Sequence, residues 1–198
     1  MSPDTDRSAI RRAMRQQRAQ LSAAARNALS AKLCHTISRL LPWQKARRLA
    51  LFLPHRGEPD LRPLLAEGRR QGKRIVVPVL KPFGERGLWF REITAETRLR
   101  PNRFGIGEPG ARAARLKPRE LDLVLTPLLA FDGAGNRLGM GAGFYDRSFA
   151  FLQRQQGWRR PLLLGVGFGF QEVPQLPAQA WDVPLHGVIT ELDLRRFR

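Results

Sequence analysis

Glycines crowd the segment between residues 132 and 146, where five stand within eleven positions: Gly133, Gly135, Gly139, Gly141 and Gly143. Glycine has no Cβ, so its backbone can adopt positive φ and bring successive N–H groups close to an anion. A helix predicted to begin near Phe144 would add the positive end of its dipole. The pattern favours a phosphate-binding loop, although a tight structural turn would contain the same glycines.

Charged residues flank this glycine-rich segment. Arg137 can place a bidentate guanidinium on phosphate oxygens, while Asp132 and Asp146 carry hard oxygen ligands of the kind that Mg²⁺ accepts beside substrate phosphates. Such a set is typical of phosphoryl transfer, in which positioning and charge neutralisation supply most of the catalysis. Arg137 and Asp146 are therefore the candidate catalytic residues, although Asp146 could instead only cap a helix. Neither the G-x-x-x-x-G-K-[ST] nor the dinucleotide G-x-G-x-x-G pattern is present.

Alternating strands and helices must position this loop. Apolar spacing predicts helices over 7–21, 22–42, 59–72 and 144–155, strands over 48–53, 74–80, 88–93, 121–125, 162–166 and 183–190, and a loop over 100–110. Strands separated by helices need crossovers, which indicates a mainly parallel central sheet covered on both faces. We expect one domain over 1–198, a three-layer α/β/α, Rossmann-like fold, with its ligands beyond the carboxyl ends of the strands.

The chain is strongly basic, with a formal net charge of +18. Only five of its 35 basic residues are lysines, and the arginines are scattered along the whole sequence. Arg7, Arg11, Arg15 and Arg18 recur three or four residues apart on one face of the first predicted helix. A solvated surface, steering of an anionic substrate and nucleic-acid binding are all compatible with this charge. The sequence contains no zinc spacing, aromatic RNA-binding signature or basic heptad helix, so we expect no nucleic-acid partner.

Cysteine content and hydropathy restrict the cellular setting. Cys34 is the single cysteine, which excludes an internal disulfide, and its apolar helical spacing predicts a core position. No apolar run approaches the roughly 20 residues of a membrane span, and no hydrophobic stretch follows the first residues. An arginine-rich transit peptide would be acidic-poor, and Asp4 and Asp6 argue against one. We expect a cytoplasmic monomer with no membrane partner.

The run Asn136-Arg137-Leu138-Gly139-Met140-Gly141-Ala142-Gly143-Phe144-Tyr145-Asp146 resembles the signature N-R-L-G-x-G-x-G-Y-Y-D of the 5-formyltetrahydrofolate cyclo-ligase family. The likeness extends over nearly the whole chain. It includes Arg7-x-x-x-Arg11, Phe52-Leu53 with Glu58, Gly105-Ile106, Glu108-Pro109, Thr126-Pro127, Phe131-Asp132 and Asp182-Val183-Pro184.

The resemblance implies a three-layer α/β domain that converts 5-formyltetrahydrofolate to 5,10-methenyltetrahydrofolate with ATP and Mg²⁺. The surplus positive charge of the chain favours a polyglutamylated form of that substrate. It implies that ATP is bound by Arg7, Arg11, Arg137, Leu138, Gly139, Met140, Gly141, Ala142, Gly143, Phe144 and Tyr145. It places the folate against Leu53, Glu58, Met140, Gly141, Ala142, Gly143 and Phe144, and makes Asp146 and Asp182 the magnesium ligands.

Three residues depart from the family pattern. Arg7 replaces a lysine, Phe144 replaces the first tyrosine, and His186 stands where an aspartate is common. A guanidinium still binds phosphate, and a phenyl ring still stacks, so neither change removes the chemistry. The residues alone leave blander roles open, namely a solvated basic face for Arg7 and Arg11 and a helix-start carboxylate for Glu58. Another phosphate-ligand enzyme on a similar scaffold and a basic nucleic-acid-binding protein are the competing functions.

Overall fold

The computed structural model describes residues 3–82, 85, 87–154 and 160–197. Its α-helices are α1 (Pro3–Gln20), α2 (Ala23–Arg39), α3 (Leu41–Lys45), α4 (Arg62–Arg70) and α5 (Phe144–Phe149). Its strands are β1 (Arg48–Ala50), β2 (Arg74–Leu80), β3 (Leu88–Glu92), β4 (Leu99–Pro101), β5 (Gly107–Pro109), β6 (Arg115–Leu116), β7 (Leu123–Pro127), β8 (Ala130–Phe131), β9 (Arg137–Leu138), β10 (Leu162–Val166), β11 (Gly187–Ile189) and β12 (Leu194–Arg196).

Eight of these strands form one sheet in the order β12-β11-β10-β7-β1-β2-β3-β6. The five central strands, β11, β10, β7, β1 and β2, are parallel, while β12, β3 and β6 pair antiparallel at the edges. The prediction of a mainly parallel central sheet is therefore confirmed.

Helices cover both faces of this sheet. Alternate side chains of a strand point to opposite faces, so Leu49 packs in a core cluster with α2, α3 and α4, whereas its neighbour Ala50 faces the opposite cluster. On that second face, the Phe149 ring of α5 packs against Phe90, with 5.7 Å between centroids. The three-layer arrangement follows from these two clusters.

Helix α1 belongs to neither cluster and lies over the hairpin of β8 and β9. Met14 is buried against Leu129, Ala130 and Leu138 in a separate apolar cluster. This packing brings the arginine-bearing helix beside the glycine-rich segment. No helix in the described ranges is long and apolar enough to cross a membrane.

Several predicted boundaries are wrong. The second helix ends at Arg39, and Pro42, expected to end it, lies instead in the first turn of α3, where proline is well tolerated. The stretch 100–110, predicted as a loop, contains the antiparallel pair β4–β5. Three other predicted elements are shorter than expected. The strand predicted over 48–53 is β1, the strand predicted over 183–190 is β11, and the helix predicted over 59–72 is α4.

The region after the glycine segment also differs from the prediction. The expected helix over 144–155 is helical only to Phe149 and continues as a 3₁₀ turn over Ala150–Arg154. Residue 155 lies outside the described residues. Strands β6, β8, β9 and β12 were not predicted, and each is only two or three residues long.

Candidate active site

A cavity of about 550 Å³ opens at the carboxyl ends of the parallel strands. Its floor includes Leu53 after β1, Leu80 at the end of β2 and Leu128 after β7. This is the edge at which parallel α/β sheets bind ligands. The predicted position of the site is therefore the position of this cavity.

Helix α1 lines one wall with basic side chains. Arg7, Arg11 and Arg15 face the cavity, as residues four apart on a helix share one face. The Arg11 Nε atom donates a hydrogen bond to the Gly139 carbonyl at 3.1 Å, which ties α1 to the glycine loop. These arginines form part of a ligand cavity and not simply a solvated face.

The glycine loop follows the β8–β9 hairpin and lines the cavity from Gly139 to Gly143. Gly141 and Gly143 have φ of +105° and +60°, conformations that other residues rarely adopt. Arg137 faces the cavity, whereas the neighbouring Leu138 side chain is buried in the cluster under α1. Any contact of Leu138 with ATP would therefore have to come from its main chain.

Asp132 lies beneath this loop and outside the cavity lining. Its Oδ1 accepts hydrogen bonds from the Ala134 and Asn136 N–H groups at 3.0 Å, and its Oδ2 accepts from Leu176 N at 2.9 Å. The Asn136 side-chain amide donates a further bond at 2.8 Å. With both oxygens occupied and the residue 1% exposed, Asp132 organises the hairpin turn, and its interpretation as a magnesium ligand is wrong.

Two buried Arg–Asp pairs stand on the same side of the cavity. Arg137 Nη2 lies 2.7 Å from Asp146 Oδ1, and Arg7 Nη1 lies 2.7 Å from Asp182 Oδ2. Asp146 Oδ1 also accepts a hydrogen bond from Val183 N at 3.3 Å, so α5 and the segment after residue 181 are joined here. The structure thus brings together residues 7, 137, 146 and 182, which are far apart in the sequence.

The carboxylates of these pairs suit a Mg²⁺ ion that would be coordinated by protein oxygens together with phosphate oxygens. Within the described part of the chain, no donor bonds to Asp146 Oδ2, and no group of three or more His, Cys, Asp or Glu side chains forms a complete metal cage. Mg²⁺ keeps several waters and commonly binds through one or two carboxylates plus substrate phosphates. Asp146 Oδ2 matches that requirement. Both Asp182 oxygens already accept hydrogen bonds from Arg7, and Oδ2 also accepts from Gln179 N at 2.9 Å, so Asp182 would have to exchange these bonds to bind the ion.

A second set of lining residues is apolar and aromatic. Leu53 and Phe144 belong to it, and the Phe104 ring stands edge-on to Phe144 with 6.3 Å between centroids. A flat heterocycle can stack between such rings.

Glu58 is a buried acidic residue of the cavity lining. Burial raises its pKa to about 7, against the opposing effect of the Arg18 charge. Its Oε2 accepts a hydrogen bond from His55 N at 3.1 Å, so the carboxylate is fixed by its own turn. A helix-start role is not seen, because α4 begins at Arg62.

All the predicted site residues except Asp132 and Leu138 line the cavity. The sequence analysis missed further lining residues, among them Arg15, Arg56, Asn102, Glu108, Gln179 and Trp181. The helical spacing of Arg15 from Arg11 was an available signal, whereas Asn102 and Glu108 arrive on the unpredicted β4–β5 hairpin. Glu108 Oε1 accepts from Leu80 N and Asn102 Nδ2, both at 2.8 Å, which anchors that hairpin to the sheet.

His186, the third departure from the family pattern, does not line the cavity. Its Nδ1 accepts a hydrogen bond from Leu163 N at 3.0 Å, and burial lowers its pKa. The residue therefore joins β10 to the start of β11, as expected for a structural histidine. The histidine lies away from the Asp146 and Asp182 carboxylates that the resemblance assigns to magnesium.

Comparison with known proteins gives a consistent result. The model of the 5-formyltetrahydrofolate cyclo-ligase family matches residues 3–191. A 5-formyltetrahydrofolate cyclo-ligase of Haemophilus influenzae is 36% identical over 186 residues, covering 92% of this chain and 96% of that protein. One of Escherichia coli K12 is 40% identical over 152 residues, covering 75% and 80%.

Solved structures share the fold. The 5,10-methenyltetrahydrofolate synthetase of Aquifex aeolicus superimposes with a TM-score of 0.81 at 33% identity, over 97% of this chain and 93% of that chain. The corresponding synthetase of Mycoplasma pneumoniae gives a TM-score of 0.72 at 26% identity, over 94% and 99%. The likeness spans the cavity as well as the sheet that carries it.

Proposed function

The chain belongs to the 5-formyltetrahydrofolate cyclo-ligase family, and from this premise we propose that it uses ATP and Mg²⁺ to cyclise 5-formyltetrahydrofolate to 5,10-methenyltetrahydrofolate. The observation that carries the proposal is one cavity whose lining combines two unlike sets of side chains. Arginines and carboxylates would receive the triphosphate, and Glu58 with apolar and aromatic side chains would receive the folate. The glycine loop lines the same cavity, so it can contact both ligands.

The chemistry explains why both ligands are needed. An N-formyl oxygen is a poor leaving group, so the neighbouring folate nitrogen cannot expel it unaided. Transfer of the γ-phosphoryl group to that oxygen releases ADP and creates a phosphate leaving group. The nitrogen then attacks the formyl carbon, loses its proton, and phosphate departs as the ring closes. Holding the reactants in one cavity can supply up to roughly 7 to 11 kcal/mol through proximity.

The residues that would receive the triphosphate have separate roles in this proposal. Arg137, fixed by Asp146, presents its guanidinium to the transferring phosphoryl group, where it stabilises developing negative charge. Arg7 and Arg11 hold the remaining phosphates from α1. Asp146 and Asp182 would bind Mg²⁺, which supplies further charge neutralisation on the phosphate oxygens when bound.

Among the residues that would receive the folate, Glu58 orients the substrate and transfers no proton. Its carboxylate accepts hydrogen bonds from the pterin amino group and ring N–H. Met140 to Phe144 line the same cavity. In this proposal the active unit is a monomer.

Arg15 and Arg56 are exposed cations that line the cavity, and they support a preference for polyglutamylated folate. We expect a higher kcat/KM for the polyglutamylated substrate at low ionic strength and a smaller difference at high ionic strength, because salt screens exposed charges. Equal kcat/KM for both substrates at both ionic strengths would contradict this part of the proposal.

The decisive experiment is an absorbance assay for methenyltetrahydrofolate formation with and without ATP and Mg²⁺. We expect turnover only when both are present, with one ADP released for each product formed. Thermal stabilisation by an ATP analogue together with folate, compared with a sugar phosphate, separates this function from another phosphate-ligand enzyme. Product formation without ATP would overturn the proposal.

A further inference from the structure

Arg18 lies on α1 behind the wall of the cavity and is only 2% exposed. Its Nε and Nη1 atoms are buried and have no hydrogen-bond partner among the described residues. Burying an unpartnered charged donor is costly, and buried polar groups are normally hydrogen-bonded. This arginine therefore needs a reason beyond the stability of the fold.

The turn that carries Glu58 packs directly on Arg18. Gly57, which has a φ of +78°, comes so close that a Cβ there would lie 3.4 Å from Arg18 Cγ and 3.8 Å from Arg18 Nε. Glu58 N donates to His55 O at 3.1 Å, and Glu58 Oε2 accepts from His55 N at 3.1 Å. The main chain thus places Glu58 in a turn that packs against Arg18 and holds its carboxylate by the His55 N–H, without a hydrogen bond from Arg18 Nε or Nη1.

The charged and titratable groups around the Glu58 turn come from three elements. Arg18 comes from α1, His55 and Arg56 from the turn itself, and Tyr145 from α5. Burial lowers the pKa of His55, with Arg56 and Arg18 acting in the same direction, so His55 stays neutral at pH 7. Burial raises the pKa of Tyr145, and the negative charge of Glu58 adds to this effect. Arg56 is exposed, so Arg18 is the buried cation of this group.

We propose that Arg18 is a positioning residue that favours the ionised form of the Glu58 carboxylate, the form that would bind the pterin. The inference rests on the proposed folate-binding role of Glu58 and adds the group that makes it possible. An arginine suits the task because its guanidinium keeps its proton even when buried. Because Arg18 Nε and Nη1 do not donate to Glu58, they leave the carboxylate lone pairs available to the substrate.

The expected pH dependence follows from the direction of the shifts. Burial raises the pKa of Glu58 to about 7, and the Arg18 charge opposes that rise. As pH falls through this pKa, the carboxyl gains a proton and loses an acceptor site for the pterin, so the folate KM rises. Removing the Arg18 charge would move this rise to higher pH.

The test compares Arg18→Met and Arg18→Lys with the parent protein by measuring folate KM at saturating ATP between about pH 5.5 and 9. We expect Arg18→Met to move the midpoint upward by about one pH unit or more and to raise the folate KM near pH 7 by about fivefold or more. Arg18→Lys should stay close to the parent midpoint, and the ATP KM should change less than twofold in both. Arg12→Met, which removes an exposed cation from the same helix, is the matched control.

An unchanged midpoint in Arg18→Met, with folate KM raised equally at every pH, would overturn the inference and leave Arg18 a packing role. If the methionine variant does not fold, Arg18→Gln is expected to give the same upward shift of the midpoint. Glu58→Gln in the parent background separates the two proposals. If Glu58→Gln leaves the folate KM unchanged, the proposed role of Glu58 fails, whereas an unchanged midpoint in Arg18→Met alone refutes only the inference about Arg18.

Discussion

The carboxyl edge of the central sheet, where its parallel strands end, and the amino edge, where they begin, contain the same residue types in different roles. At the carboxyl edge, Arg7 pairs with Asp182 and Arg137 pairs with Asp146. At the amino edge, a second concavity of about 600 Å³ is lined by Lys45, Arg47, Arg48, Gly72, Arg74, Asp122 and Arg160. There, Asp122 pairs with both Arg48 and Arg160.

The pairs differ in burial and in what remains free for a ligand. The side chains of Arg48 and Arg160 are 41% and 70% exposed, whereas those of Arg7 and Arg137 are 11% and 7% exposed. The oxygens of Asp122 are occupied, because Oδ2 accepts from the Arg47 and Arg48 N–H groups and Oδ1 accepts from the two arginine side chains.

At the carboxyl edge, Arg137 Nε is buried and has no partner within the described ranges. Asp146 Oδ2 is also without a donor from the described residues. An Arg–Asp pair thus stabilises the fold when main-chain groups and other arginines donate to both carboxylate oxygens. It can bind a ligand when a donor and an oxygen inside a cavity have no hydrogen-bond partner.

The largest effect should come from Asp146→Asn. We expect it to lower kcat at least about hundredfold, the cost of weakening a metal ligand and the charge partner of Arg137. Turnover measured against Mg²⁺ concentration checks this, with Asp122→Asn as the matched amino-edge variant and little change expected there. A magnesium dependence like that of the parent would reduce Asp146 to a helix cap.

Glu58→Gln should have the next largest effect, on the folate and not on the nucleotide. Hydrogen bonds to a charged group contribute about 1.5 to 3 kcal/mol, so we expect the folate KM to rise about tenfold or more while the ATP KM stays within twofold. Steady-state kinetics with each substrate varied in turn measures both. A change in folate KM below twofold would count against the orienting role.

Arg11→Ala should raise the ATP KM severalfold and change folate binding less, because its guanidinium bonds to the glycine loop at Gly139. Arg12→Ala removes the adjacent exposed arginine of the same helix and serves as its control. The measurement is ATP KM for both variants at one ionic strength. Equal values for Arg11→Ala and the parent would remove α1 from the nucleotide site.

The smallest effect on activity should come from Asp122→Asn, which should instead lower the free energy of unfolding by about 1 to 3 kcal/mol at neutral pH. Burial tends to raise the pKa of Asp122, but hydrogen bonds from Arg48 and Arg47 outweigh it and lower the pKa. A depressed pKa stabilises the fold above the ordinary carboxyl pKa, and this contribution is lost as pH falls. Denaturant unfolding at neutral and acidic pH should therefore show the two proteins converging in acid. A difference that stayed constant with pH would contradict this assignment.

The parts of the fold that the sequence predicted best are its long buried strands. The predicted bounds of β2 and β10 match the structure, since continuous Val, Ile and Leu runs between turn residues are typical of central parallel strands. The short strands were missed because two or three residues carry no usable periodicity. β9 illustrates this limit, because Arg137 faces the cavity and Leu138 the core.

The candidate site was predictable where a motif fixed the residues and less so where burial decided their role. Asp132 has the same chemistry as Asp146, and only the hairpin geometry shows that main-chain groups occupy its oxygens. Arg18 follows the same helical spacing as Arg15, yet one is buried and the other exposed. Spacing assigns both to one helix face, and tertiary packing separates them.

The ion pair between Arg7 and Asp182 connects residues 175 positions apart. During synthesis, the first helix leaves the ribosome long before the aspartate that completes its binding partner exists. A nascent chain therefore cannot form this ion pair, which belongs to the proposed nucleotide site, until residue 182 has been synthesised. Fragments truncated before residue 182, which would also lack β11 and β12, should be inactive.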